Sequence, residues 1–300
     1  MRKVKVITDS CSDLTPELME RYGIDYAKMN TVYGGKASPA DLAWTPEDVR
    51  ALYGIMREGN RVTTTQVPAD EFDRVFRHWL GAGYDIVYVG CSSKQSGSVG
   101  TARVMAKKIL PNYPGAEIVC VDSLHACMGE GMVAIEGAKA AADGASAAEV
   151  GRYCEERRKY IHQFCTVHSL DALRRAGRVK ASSAFFGNLL GVKPIIVADA
   201  DGEQAAFRKV KGRTASLREI VSLLGEHMTD PESQTVYVAH SDCPEEEVEQ
   251  VKAFIREIIP CKDIYTGYIG PIIGASIGPG AFAIFGIGKE ITFRIGKGDR

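Results

Sequence analysis

The chain has 300 residues, of which 45% are hydrophobic and 25% charged, and its formal net charge at pH 7 is -1. This is ordinary globular composition, with length enough for two domains and for a core that still encloses a ligand. A near-neutral charge without a long basic run removes the electrostatic basis for nucleic-acid binding, which leans on neutralising phosphates.

The N-terminal stretch MRKVKVITDS alternates apolar residues with Lys and meets an acid at Asp9. It reads as a first strand over Val4–Thr8 and lacks the roughly 7–15-residue apolar core of a secretory signal. A helix over Thr15–Tyr22 follows, with Asp13 or Thr15 near its cap. Asp25–Val32 reads as a second strand, and Thr45–Glu58 and Ala69–Ala82 as helices opened by Thr-Pro and by Pro68. Ile86–Cys91 is apolar without polar alternation, as strands of buried parallel sheets are. Helices over Gly100–Leu110 and Gly131–Ala142 flank a strand over Glu117–Val121. This half predicts a doubly wound, mainly parallel sheet.

The second half predicts helices over Ala147–Tyr160, Leu170–Arg175, Ser182–Leu190, Ser216–Met228 and Pro244–Ile259. Strands are expected over Gln163–His168, Thr235–His240, Asp263–Tyr268 and Ala281–Gly286. Pro194–Ala198 and Ala205–Val210 bracket Asp201-Gly202, a strong hairpin turn. A hairpin among αβ units makes the second sheet mixed. The expected architecture is therefore two α/β domains, residues 1–150 and 151–300, with the boundary within residues 145–165.

No apolar run approaches the roughly 18 residues of a membrane helix. The expectation is a soluble, cytoplasmic protein. Its eight cysteines, several of them in apolar runs, are expected to be buried reduced thiols. Without a CxxC pair, no metal site is expected.

Three segments combine polar groups or glycines with positions near the ends of apolar runs, where open α/β sheets place ligands. Thr63-Thr64-Thr65-Gln66-Val67-Pro68 precedes a helix; it reads either as an anion site at a helix N-terminus or as a plain N-cap. Ser92-Ser93-Lys94-Gln95-Ser96-Gly97-Ser98 is a hydroxyl-rich loop able to wrap an anion. It matches neither glycine pattern of nucleotide-binding loops, so a nucleotide is not expected. Gly270-Pro271 through Gly278-Pro279-Gly280 fixes an unusual backbone path whose lone polar side chain is Ser276.

Catalytic constellations are thin. Gly274-Ala275-Ser276-Ile277-Gly278 has the spacing of a hydrolase nucleophile elbow, but that elbow needs a strand before, a helix after, and a later His. The last His here is His240. His125 near Asp122 reads as a loop residue, and His168 and His240 as rim or surface residues. Asp9, Asp13 and Asp122 read as caps or turns rather than as metal ligands. The enzyme alternative, a hydrolase or phosphotransferase using Ser96 or Ser276, needs a base within reach, and no motif supplies one.

Taken together and in order, these segments resemble the DegV family. Asp9-Ser10-Cys11-Ser12-Asp13-Leu14 is similar to its D-S-x-x-D-L start. Thr64-Thr65-Gln66 resembles T-S-Q, and Ser92–Ser98 resembles S-S-x-L-S-G-T. Asp122-Ser123 is similar to a second D-S, and Leu173–Arg178 resembles L-x-x-G-G-R with Ala176 for the first Gly. Lys193-Pro194, Asp201-Gly202, Lys211-Gly212-Arg213 and Gly278-Pro279-Gly280 extend the match along nearly the whole chain.

The resemblance implies a non-catalytic carrier of one long-chain fatty acid, with no cofactor, and a ligand held between and inside two α/β domains. By position, it assigns the carboxylate to Thr64 and Ser96, with Thr65, Gly97 and Ser98 nearby. It implies an acyl tunnel in the second domain, with Phe185, Phe186, Leu189, Leu190, Ile195, Ile272 and Ile273 as candidate lining. Some family members are lipid-carrying subunits of bacterial fatty acid kinase, presenting the carboxylate to a separate ATP-binding protein. In those the stretch before the closing Gly-Pro-Gly often carries His. Here Ser276 stands in that position, while Arg213 keeps the family's Arg.

Overall fold

The computed structural model describes residues 2–168, 171–180 and 191–294. The chain forms two compact units, one made of Met1–Ala43 and Thr63–Lys159, the other of Trp44–Val62 and Tyr160–Arg300. The division differs from a single crossing at 150/151, because residues 44–62 pack with the second unit.

The first unit opens with β1 (Lys3–Asp9), α1 (Pro16–Tyr22), β2 (Asp25–Ala27), β3 (Asn30–Tyr33) and β4 (Lys36–Pro39). After α2 (Pro46–Arg57), which belongs to the second unit, come β5 (Thr63–Thr65), α3 (Ala69–Gly81), β6 (Tyr84–Gly90) and α4 (Ser98–Ile109). β7 (Ile118–Asp122), α5 (Met128–Ala142) and α6 (Ala147–Arg157) complete it. Local chemistry sets the ends. The Thr15 hydroxyl accepts from Leu18 N, Pro16 starts α1, and Gly23 closes it at φ +63°. Ser146 and Glu149 form a reciprocal capping box on α6.

Strands β2-β1-β6-β7 form an all-parallel sheet. Ile86, Val87, Tyr88 and Val89 are fully buried, which explains the unbroken apolar run of β6. Helices α3 and α4 pack together against the sheet, and α5 and α6 make a second such pair. The expected single strand Asp25–Val32 is two strands. Lys28 N donates to Glu71 Oε1 at 3.0 Å and Met29 N to Ser10 Oγ at 2.9 Å, so both leave the ladder. β3 then joins β4 and β5 in a small antiparallel sheet, pairing Thr31 with Thr64 and Asn30 with Thr65.

The second unit contains α2, β8 (Ile161–Thr166), α7 (Asp171–Ala176), β9 (Val179–Lys180), β10 (Val192–Ala198) and β11 (Gln204–Lys211). It continues with α8 (Arg213–His227), β12 (Thr235–His240), α9 (Glu245–Ile258), β13 (Asp263–Tyr268), α10 (Pro271–Ile277) and β14 (Phe282–Ile287). Its sheet is mixed, in the order β13-β12-β14-β8-β10-β11-β9. The expected hairpin is present: β10 and β11 are antiparallel, and Gly202 takes φ +80° in the turn between them. The core packs Leu217, Ile220 and Leu224 of α8 and Val251 and Ile255 of α9 against Phe164, Ile195, Val238 and Phe282 of the sheet. The expected helix Ser182–Leu190 lies outside the described residues.

The glycine-rich segment contains a helix, α10, that periodicity does not announce. Pro271 occupies its first turn and Gly278, at φ +76°, its end. Gly274 sits in its middle because a Cβ there would collide with the Tyr53 hydroxyl. That hydroxyl donates to Ile269 O at 2.7 Å, joining α2 to the segment before α10. Among the described residues no helix is long and apolar enough to cross a membrane.

Candidate functional site

Two of the three polar segments are bonded to each other in the first unit. The Ser92–Ser98 loop follows β6, and Ser98 opens α4. The Val67 N–H donates to the Ser98 hydroxyl at 3.2 Å, Ser98 Oγ lies 2.9 Å from Ser96 Oγ, and Ser98 N donates to Ser96 Oγ at 3.2 Å. Gln66 Nε2 donates to Thr101 Oγ1 at 2.6 Å. Gly97 leaves room for this, since a Cβ there would overlap the Gln66 amide oxygen.

Either serine can donate across the Ser96–Ser98 contact, since each hydroxyl accepts one backbone N–H and keeps a second lone pair. Thr64 lies half-buried on β5, and its hydroxyl has no protein partner among the described residues. At the start of α4 Ser96 accepts from Ser98 N, Gly97 offers no side-chain cap, and no acid stands in the first turn. Hydroxyls beside a positive helix end suit a carboxylate, and they hold it without a fixed cation.

Two acids, half-buried Asp122 and buried Asp9, anchor this loop and the strand ends beside it. Asp122 Oδ1 accepts from Ser93 N at 3.2 Å and Leu124 N at 3.1 Å. Asp9 Oδ2 accepts from Tyr88 Oη at 2.6 Å and Cys91 N at 3.3 Å, and its Oδ1 from Cys11 N at 2.9 Å. Both acids act as turn caps, as their positions after strands predict. His125 is buried; its Nε2 bonds Arg158 O at 2.8 Å, and burial lowers its pKa to about 4. The partners of Ser96 Oγ are a hydroxyl and a backbone N–H, neither of which is a general base.

Ser276 belongs to the second unit, half-buried in the last turn of α10. It is inside a helix, not on a strand-to-helix turn, so the elbow geometry is not formed. Arg213 is also in the second unit, and its charge is already engaged. Its guanidinium donates to both oxygens of Glu247, at 2.8 Å to Oε2 and 3.1 Å to Oε1, and to Gly280 O at 2.8 Å, and it lies 5.4 Å from the Phe282 ring. Spacing gave no signal of the Glu247 pairing. Of the candidate lining residues, Ile195 is part of the packed core, Ile272 is buried and Ile273 half-buried. Phe185, Phe186, Leu189 and Leu190 lie outside the described residues.

A family model described as "Uncharacterised protein, DegV family" matches residues 3–289. A DegV domain-containing protein of Clostridium perfringens is 35% identical over 293 residues, covering 96% of this chain and 98% of that protein. The chain belongs to the DegV family. Solved DegV structures share its fold. A DegV lipid binding protein from Thermotoga maritima aligns with TM-score 0.82 at 26% identity, covering 97% of this chain and 100% of that one. A DegV family protein from Thermus thermophilus, described by its fatty acid binding, aligns with TM-score 0.83 at 25% identity over 96% and 100% of the two chains.

Proposed function

We propose that this chain is a cytoplasmic, non-catalytic carrier of one long-chain fatty acid whose carboxylate is held by Thr64 and Ser96, with Thr65, Gly97 and Ser98 beside them. The observation that carries the reading is the bonded pair of loops at Val67 and Ser98, which sets the Ser96 and Ser98 hydroxyls together at the start of α4. DegV relatives described as lipid- or fatty-acid-binding support the ligand class.

The chemistry divides the work. The hydroxyls orient a charged head group without a cation to trap it. The acyl chain supplies affinity, at about 0.8 kcal/mol per buried CH2 and on the order of 10 kcal/mol for a long chain before the costs of association. Extraction of the purified protein followed by mass spectrometry tests this. A co-purified long-chain acid in near one-to-one ratio is expected; a different small acid, or none after incubation with free fatty acid, contradicts it.

Presentation of the carboxylate to a separate ATP-binding kinase extends the reading. An acyl phosphate carries more charge than a carboxylate and favours a nearby cation. Ser276 supplies none, and Arg213 is paired with Glu247. A kinase partner would therefore bring its own cation, or draw Arg213 away from that pair.

A further inference from the structure

In the parallel sheet of the first unit, β1 and β6 are neighbours at the point where strand order reverses, with β2 and β7 outside them. Open α/β sheets bind ligands beyond the strand ends at such a point, because connections leaving in opposite directions open a crevice. Here side chains fill that place. Cys11 follows β1, Cys91 follows β6, and Glu130 stands in the first turn of α5. The two sulfurs and a Glu130 carboxylate oxygen lie within 4.8 Å of one another, and all three residues are buried.

Two further observations point to a ligand. Glu130 has no exposed surface, and its Oε2 has no hydrogen-bond partner among the described residues. A carboxyl group buried half-satisfied is costly where an apolar side chain would not be. The surroundings also hold the three groups in place. Asp9 accepts the N–H of both Cys11 and Cys91, so one carboxylate fixes both thiol-bearing backbones. The Thr8 hydroxyl donates to Glu130 Oε1 at 2.8 Å and orients it. Outer groups grip metal ligands in this way.

We propose that Cys11, Cys91 and Glu130 bind one zinc-class divalent cation. Two thiolates and a carboxylate form a donor set that Zn2+ accepts and that magnesium or calcium, which want oxygens alone, do not. Loading the site breaks two S–H bonds, releases those protons to solvent together with any proton on the Glu130 carboxyl, and forms three metal–ligand bonds. Because the ligands are buried, the ion enters as the unit folds. The cysteines lie far apart in the sequence, which is why no CxxC pattern announces the site.

The test refolds the full, reduced chain with Zn2+ as the sole added metal, removes free ion, and measures bound zinc by elemental mass spectrometry and proton release by pH-stat. One tightly held Zn2+ per chain is expected, with release of at least the two thiol protons. Substitution with Co2+ should give thiolate-to-cobalt charge-transfer absorption. Cys11→Ala with Cys91→Ala should abolish retention, while Cys154→Ala, at a buried cysteine outside the cluster, should not. Glu130→Gln should weaken binding by about 100-fold or more, beyond the loss typical of outer-shell changes. Glu130→Leu, which suits an apolar core, should fold and not bind, and circular dichroism separates it from a misfolded chain. Zinc retained equally by the double cysteine variant, or no retention by the native chain refolded with zinc, overturns the proposal.

Discussion

The backbone N–H of Val67 donates to the hydroxyl of Ser98 at 3.2 Å, and this bond ties the segment before α3 to the start of α4. Val67 is fully buried, so its N–H has no water to turn to. The same Ser98 hydroxyl lies 2.9 Å from Ser96 Oγ. Ser98→Ala should therefore cost about 1–3 kcal/mol, the penalty for an unsatisfied buried donor. It should weaken lipid retention as well, because the Ser96 hydroxyl loses a hydrogen-bond partner. Urea denaturation of the delipidated protein and lipid occupancy, measured together, check both effects. Ser98→Thr, which keeps the hydroxyl, should lose less of either.

Gly274 and Tyr53 meet where α10 crosses α2. A methyl group at position 274 would collide with the Tyr53 hydroxyl and ring. Gly274→Ala should destabilise by about 1–3 kcal/mol despite the better helix propensity of alanine. Removing the hydroxyl by Tyr53→Phe should recover part of that loss in the double variant. A double-mutant cycle by thermal unfolding measures the coupling, and additive effects would mean the two residues do not meet.

Acid should destabilise this protein through two histidines. Burial lowers His125 and His240 from the usual 6.5 to about 4. His240 Nδ1 accepts from Cys243 N at 3.3 Å, a role open only to the neutral ring. Between the two pKa values the unfolded chain binds more protons than the folded one, so stability rises with pH there. The contribution is complete above pH 6.5 and is lost as pH falls toward 4, at roughly 3 kcal/mol per residue. Urea midpoints measured across this range should fall on acidification, and His240→Phe should flatten the slope, whatever its effect at neutral pH.

Arg213 is bound to Glu247 and Gly280 O within its own unit. Arg213→Ala should lower stability by about 1–3 kcal/mol and leave lipid occupancy unchanged. If a kinase partner draws on this cation, acyl-phosphate formation from loaded carrier, ATP and the cognate kinase domain should fall further than binding does. Equal losses of binding and turnover would place the residue in the lipid site or in the fold.

The strands were legible where composition alone decides them. The unbroken run before Cys91, the Asp201-Gly202 turn and the run Thr235–His240 all fold as read. Short elements made by distant partners were not. The ladder breaks after β2 because Glu71 and Ser10 take the next two N–H groups. α10 was hidden by its glycines, one of which exists to admit Tyr53 from far upstream. The hydroxyl-rich segments were visible as motifs, but their bond through Val67 and Ser98 was not. Likewise Glu130 reads as one more helical acid in the sequence, and only its position between β1 and β6 makes it unusual.

Lipid occupancy of the Thr64→Val, Ser96→Ala double variant tests the central claim most directly. Both substitutions remove a hydroxyl donor, Thr64→Val at equal size and Ser96→Ala with the loss of one atom. Each lost charge-assisted bond should weaken binding by about 1.5–3 kcal/mol. The account predicts that native mass spectrometry finds the wild-type chain largely loaded with a long-chain fatty acid and the double variant largely empty, while the delipidated forms unfold at similar temperatures. Full occupancy in the double variant would contradict the assignment of the carboxylate to these two hydroxyls.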